Sequence, residues 1–238
     1  MGEERFYRKN VSRKDYIVYE VKHEETDLLV STDGNFYSDT LNFIIKYRNY
    51  IENYIKDNPD FLTSFSPLPD NAYAPPIIQD MLRAAQTVGV GPMASVAGAV
   101  AQYVGADLKK LSRNVIIENG GDNYLDTEKD VIISLYAGKS PLSDKIAVKI
   151  TPGQMPCGVC TSSATVGPSI SLGLADAVCV VSPSAVFADA AATALGNRIR
   201  TKKDINNTLE VAMLINGVTG VIIVLDNKMG IAGNITLL

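Results

Sequence analysis

Short apolar runs, separated by turns and helices without a regular strand–helix–strand rhythm, most constrain how this chain can fold. Val115–Ile117, Val131–Tyr136, Ile146–Ile150, Val178–Val181 and Val221–Leu225 read as strands. Tyr16, Val18 and Val21, followed by Thr26–Ser31, predict two antiparallel strands near the start. Helical spacing covers Leu41–Ile55, and Ile77–Thr87 and the small-residue run after Pro92 also read as helices. Ser184–Asn197 and Asp204–Ile215 are further helices, the second stopped by Asn216-Gly217. Pro59, Pro67, Pro69, Pro75 and Pro76 make residues 58–76 a loop, since proline donates to neither helix nor sheet ladder. The order argues for an α+β fold rather than a doubly wound parallel sheet, with residues 1–238 as a single domain.

Composition narrows the function. The net charge of -4 offers no basic field, so no nucleic-acid partner is expected. The charged N-terminus lacks the apolar stretch of a secretory signal, and Gly, Ser, Asp and Pro interrupt every run that approaches membrane length. The three cysteines are too few for a disulfide scaffold and suit a reducing compartment. A cytoplasmic protein with no membrane partner is the expectation. Small-residue helices that invite close packing, a mean hydropathy of +0.08 and the prevalence of two-fold dimers lead to the expectation of a homodimer.

Three groups of residues can carry chemistry. Asn119, Gly120, Gly121 and Asp122 follow a strand, where the glycines permit a tight turn. Asn119 and Asp122 can bond a ribose, an amide or a metal; the alternative is a plain hairpin turn. Asp189 and Thr193 lie four apart in an alanine-rich helix and share a face, a pairing that suits Mg²⁺ or a solvated polar stripe. Cys157 and Cys160 form a CxxC followed by Thr161, Ser162 and Ser163. Cys157 and Cys160 can be a redox pair, Cys160 a nucleophile with those hydroxyls as donors, or both thiols can be core. Cys179, inside an apolar strand, reads as core. The only histidine, His23, lies far from these groups in the sequence, and one CxxC does not make a zinc site.

These residues resemble the ApbE superfamily, whose best-known members are FAD:protein FMN transferases, and more closely a prokaryotic ApbE-like subfamily. The resemblance runs through Glu4–Arg8, Glu25–Leu28, Gly89–Ala94, Glu118–Asp122, Gly158–Ser163 and Ala188–Ala194. It implies an α+β, ApbE-like fold of two related halves, with mixed sheets and packed helices. It also implies that Asp189 and Thr193 bind Mg²⁺ holding an FAD pyrophosphate, with Asn119–Asp122 on the cofactor side. The family's Ser-His-x-x-Asp-Pro segment is replaced here by Gly167-Pro168-Ser169, and its Lys-Gly-Tyr segment has no lysine in Pro92–Ala101.

Two readings follow. In the first, Cys160 carries sulfur as a thiolate or persulfide, its pKa lowered by Thr161, Ser162 and Ser163, with Cys157 as the resolving thiol. The partner is then a small-molecule substrate, such as an amino acid, or a sulfur-donor protein. In the alternative, the chain is an Mg²⁺-dependent FMN transferase, or a non-catalytic module that binds a flavin or nucleotide.

Overall fold

The computed structural model describes residues 15–164 and 172–238; Glu4–Arg8, Gly167, Pro168, Ser169 and Ser171 lie outside them. Eight strands form one sheet in the order β1-β2-β3-β4-β7-β8-β9-β10. They are β1 (Ile17–His23), β2 (Thr26–Thr32), β3 (Val115–Asn119), β4 (Asp122–Asp126), β7 (Cys157–Ser162), β8 (Ala177–Ser182), β9 (Gly220–Leu225) and β10 (Lys228–Gly233). A second sheet joins β5 (Val131–Ser134), β6 (Ala147–Ile150) and β11 (Thr236–Leu237) in the order β11-β6-β5. All pairings among the described residues are antiparallel, so the mixed sheets expected resolve into two wholly antiparallel ones.

Strand alternation divides the large sheet into two apolar faces. Val30, Ile117, Tyr124, Cys160, Val178, Val180 and Val221 point to the helices. Ile116, Leu125, Cys157, Val159, Cys179, Val181 and Ile222 point to the small sheet. The layers are therefore helices, large sheet and small sheet.

The helices are α1 (Tyr37–Asp57), the short α2 (Asp60–Thr63), α3 (Pro76–Val88), α4 (Val96–Leu108), α5 (Ala185–Gly196) and α6 (Asp204–Leu214). In α1, Thr40, Ile44, Tyr47 and Ile51 recur at helical spacing and are the buried stripe. Proline opens α3 where its missing N–H costs nothing, and Gly89 closes it in the left-handed conformation. A 3₁₀ turn, Pro92–Ser95, leads into α4. Helix α5 lies against β7 and β8 and is overlaid by α3 and α4. Being enclosed on several sides explains its composition: Ala185, Val186, Ala188, Ala190, Ala191, Ala192 and Leu195 are all buried. Burying a side chain such as Val186 or Leu195 contributes about 1.5–3 kcal/mol each. Among the described residues no single helix is long and apolar enough to cross a membrane.

Candidate functional site

The site begins at the β3–β4 turn. Asn119 pairs with Asp122 across Gly120 and Gly121, whose φ values of +67° and +107° fit a tight two-residue hairpin that other residues enter only with strain. The hairpin reading of Asn119–Asp122 is thus what the backbone does. The two flanking side chains nevertheless face the helices: Asn119 Nδ2 donates to Ala97 O at 3.1 Å, at the start of α4.

Asp122 sits just past the end of a ladder. The β4–β7 pairing runs Leu125–Cys157, Tyr124–Gly158 and Asn123–Val159. The next positions across are Asp122 and Cys160; the Asp122 carboxylate receives the Thr161 N–H, while the Cys160 thiol donates to Ala185 O. Asp122 is only 7% exposed, yet its Oδ1 has no hydrogen-bond partner. An unpaired buried carboxylate oxygen is costly.

Asp189 comes to the same place from α5. Gly98 N donates to Asp189 Oδ2 at 2.8 Å. Asp189 thereby supplies the first turn of α4 with the cap that Ser95, the preceding residue, does not provide. This contact depends on a close helix approach: a Cβ on Gly98 would lie 2.3 Å from Ala185 O and 2.8 Å from Asp189 Cβ.

The Asp189 charge acts on Asp122. Burial, then the Asp189 charge, pushes Asp122 well above the carboxylate range, Cys160 and Thr161 pulling the other way. Burial also pushes Asp189 up to about 7 against the pull of the Gly98 and Ala97 amides. Two enclosed carboxyls with one spare oxygen can share a proton or hold a cation. Thr193 follows one turn along α5 and is partly exposed. Among the described residues no cluster of three or more His, Cys, Asp or Glu side chains is arranged to hold a metal.

The cysteine motif takes a different form from the one expected. Residues three apart on a strand point to opposite faces. Cys160 lies under α5, its Sγ 3.5 Å from Ala185 O, while Cys157 lies in the core against the small sheet. The geometry therefore separates Cys157 from Cys160 and gives no resolving pair. Thr161 also turns to the far face, where its hydroxyl meets Cys179 rather than Cys160. Burial and the Asp122 and Asp189 charges raise the Cys160 thiol far above its usual range. Burial, with the Asp126 charge, lifts Cys157 to about 12, and burial, opposed by the Thr161 hydroxyl and aided by the Asp122 charge, lifts Cys179 to about 11. The lowered Cys160 pKa expected from neighbouring hydroxyls is thus reversed by burial and two nearby carboxylates. Ser162 and Ser163 are buried at the end of β7.

Sequence reading kept Asp122, Cys160 and Asp189 in three separate groups; the fold joins them. It also missed Gln102, whose Oε1 accepts from Ala185 N at 2.7 Å and Ser184 Oγ at 3.1 Å, fixing the start of α5. The spacing Gly98–Gln102, one helical turn apart in α4, was the available signal. Two surface hollows, of about 290 and 350 Å³, are lined by neither Asp122 nor Asp189.

Comparison with known proteins fits this architecture. A UPF0280 protein of Methanocaldococcus jannaschii is 43% identical over 218 residues, covering 89% of this chain and 88% of its own length. Among solved structures, the apo form of the flavinyl transferase ApbE of Pseudomonas stutzeri superposes with a TM-score of 0.54 at 13% identity, covering 91% of this chain and 93% of that one. A mutant of the flavin transferase ApbE from Vibrio cholerae gives 0.57 at 10% identity, covering 91% and 96%. At these identities the likeness is one of fold. A family model described as AbpE bacteria matches residues 8–220, and this chain belongs to that family.

Proposed function

We propose that this chain binds a flavin or nucleotide diphosphate through a divalent cation, Mg²⁺ in the cell, held by Asp122 and Asp189 with Thr193 beside them. The observation that carries the reading is the buried, unpartnered Oδ1 of Asp122 next to a second enclosed carboxyl. Mg²⁺ is commonly held by one or two carboxylates, the remaining positions going to water and substrate phosphates, so two protein carboxylates suffice. A bound cation neutralises a pyrophosphate and orients it. The chain's own residues pre-set the pair: Gly98 N–H fixes Asp189, and Thr161 N–H fixes Asp122. Likeness in fold to flavin transferases supports a flavin as the ligand.

Transfer of FMN from FAD to an acceptor hydroxyl, with AMP as the leaving group, is the second reading. It requires a group to take the proton of an acceptor hydroxyl. The sole histidine, His23, ends β1, at the edge of the sheet and three strands from β4. Binding therefore ranks ahead of transfer, and both rank ahead of sulfur carriage on Cys160.

Calorimetry with FAD and with ADP, each with Mg²⁺ and with EDTA, tests the proposal. Binding is expected only with Mg²⁺, and Asp189→Asn weakens it about tenfold or more, as expected for a lost charged contact. Equal binding in EDTA, or none in Mg²⁺, refutes it. Covalent FMN on an acceptor peptide would move transfer to first place.

A further inference from the structure

We infer that the chain pairs with a second copy of itself along β10, the two antiparallel edges joining both large sheets about a two-fold axis at Ile231. The cation site plays no part in this pairing.

The outer strands of the large sheet are β1 and β10. An outer strand leaves a row of backbone N–H and C=O groups outside the ladder, and proteins guard such a row with charge, proline, a bulge or a cover. β1 is guarded by charge: it carries Glu20 and Lys22, and Lys22 Nζ lies 3.4 Å from Asp27 Oδ2. Two β1 edges centred on Glu20 or on Lys22 would set like charges opposite each other. β10, Lys-Met-Gly-Ile-Ala-Gly, has one charge, at its first residue, and no proline, and its register with β9 runs without a bulge. Among the described residues no strand pairs with its outer side.

The β9–β10 turn fixes which groups face outward. Leu225 and Lys228 flank the two-residue turn Asp226-Asn227 and so form a hydrogen-bonded pair. Alternation then sends the backbone groups of Lys228, Gly230 and Ala232 to β9, and those of Met229, Ile231 and Gly233 outward. Asn234 N, donating to Thr219 O at 2.8 Å, continues the inward set. The outward set is symmetric about Ile231. A second copy turned antiparallel brings the Ile231 N–H and C=O onto those of its own Ile231, and the Gly233 N–H onto its Met229 carbonyl. Lys228 then faces Asn234 of the second copy, so no like charges meet. The side chains agree: Ile231 is 36% exposed and stands opposite itself, a β-branched cross-strand pair. Met213 and Leu214, at the end of α6, are 38% and 85% exposed, and Met213 Sδ packs close to Gly233, so apolar surface runs on past the end of the edge.

Light scattering after size exclusion, on the full chain at micromolar concentration, should return twice the 25.6 kDa of one chain. Ile231→Lys and Ile231→Glu each set like charges on the axis, so each alone should run as a single chain with an unchanged thermal melt. An equimolar mixture of the two sets opposite charges there and should recover the doubled mass. A single-chain wild type, an Ile231→Lys variant that stays doubled, or a mixture that stays single overturns the inference. If either variant fails to fold, hydrogen exchange on the wild type decides. The outward amides of Met229, Ile231 and Gly233 should then be protected like the inward amides of Gly230 and Ala232. Exchange of the outward set at the rate of open amides refutes the pairing.

Discussion

Replacing Asp122 by Asn should stabilise the metal-free protein at pH 8 and leave it nearly unchanged at pH 4. Both carboxyls of the pair have raised pKa values in the folded state. Such a group binds its proton more tightly when folded, so its contribution to stability falls as pH rises from about 4 through the folded pKa. At Asp122 burial is the first cause of the rise and the Asp189 charge the second, so Asp122→Asn removes both at once. Removing an incompletely paired buried charge in this way is worth about 2 kcal/mol. Asparagine is nearly isosteric, still accepts from Thr161 N and carries no charge beside Asp189. For a chain of this size 2 kcal/mol corresponds to roughly 4–8 °C in Tm. Urea melts and thermal scans in EDTA at pH 4, 6 and 8 measure it. An Asp122→Asn variant no more stable than wild type at pH 8 would show that the carboxylate is not strained and would remove the ground for a ligand there.

Mg²⁺ should raise Tm at pH 8 and much less at pH 5, where protons occupy the same oxygens; equal shifts at both pH values would contradict this. Gly98→Ala places a Cβ 2.3 Å from Ala185 O, so it should cost about 1–3 kcal/mol in denaturant melts and reduce Mn²⁺ affinity by displacing the Asp189 contact. All three cysteines are buried with raised pKa values, so iodoacetamide at pH 7 should leave the folded chain unlabelled and label all three after unfolding. Rapid labelling of Cys160 in the folded protein would return it to the role of nucleophile.

The strands and helices with strong local patterns were legible in the sequence, and the exceptions have physical causes. Helix α1 is marked by its Ile44–Tyr47–Ile51 stripe, β8 by its continuous apolar Val178–Val181 run and β9 by its β-branched Val221–Val224 run. Strand β4, Asp-Asn-Tyr-Leu-Asp, carries no β-branched residue, and β10 contains two glycines, so neither advertises itself. Strand β7 is the instructive case. Read as a loop-borne CxxC, Cys-Gly-Val-Cys suggests paired thiols; read with a strand's period of two, it sends Cys157 and Cys160 to opposite faces. Asp189 and Thr193 were visible as one face of α5 from spacing alone. That Asp189 meets Asp122 was not, because the contact depends on tertiary packing of α4, α5 and the β3–β4 hairpin. Local sequence carries no record of that meeting.

The most direct test of the cation site is a crystal grown with Mn²⁺ and ADP, with anomalous scattering measured at the manganese edge. The account predicts a single strong peak between the Asp122 and Asp189 carboxylates, on the Thr193 side, with the diphosphate against it. A peak elsewhere, or bound ADP with no peak between these two residues, would contradict it.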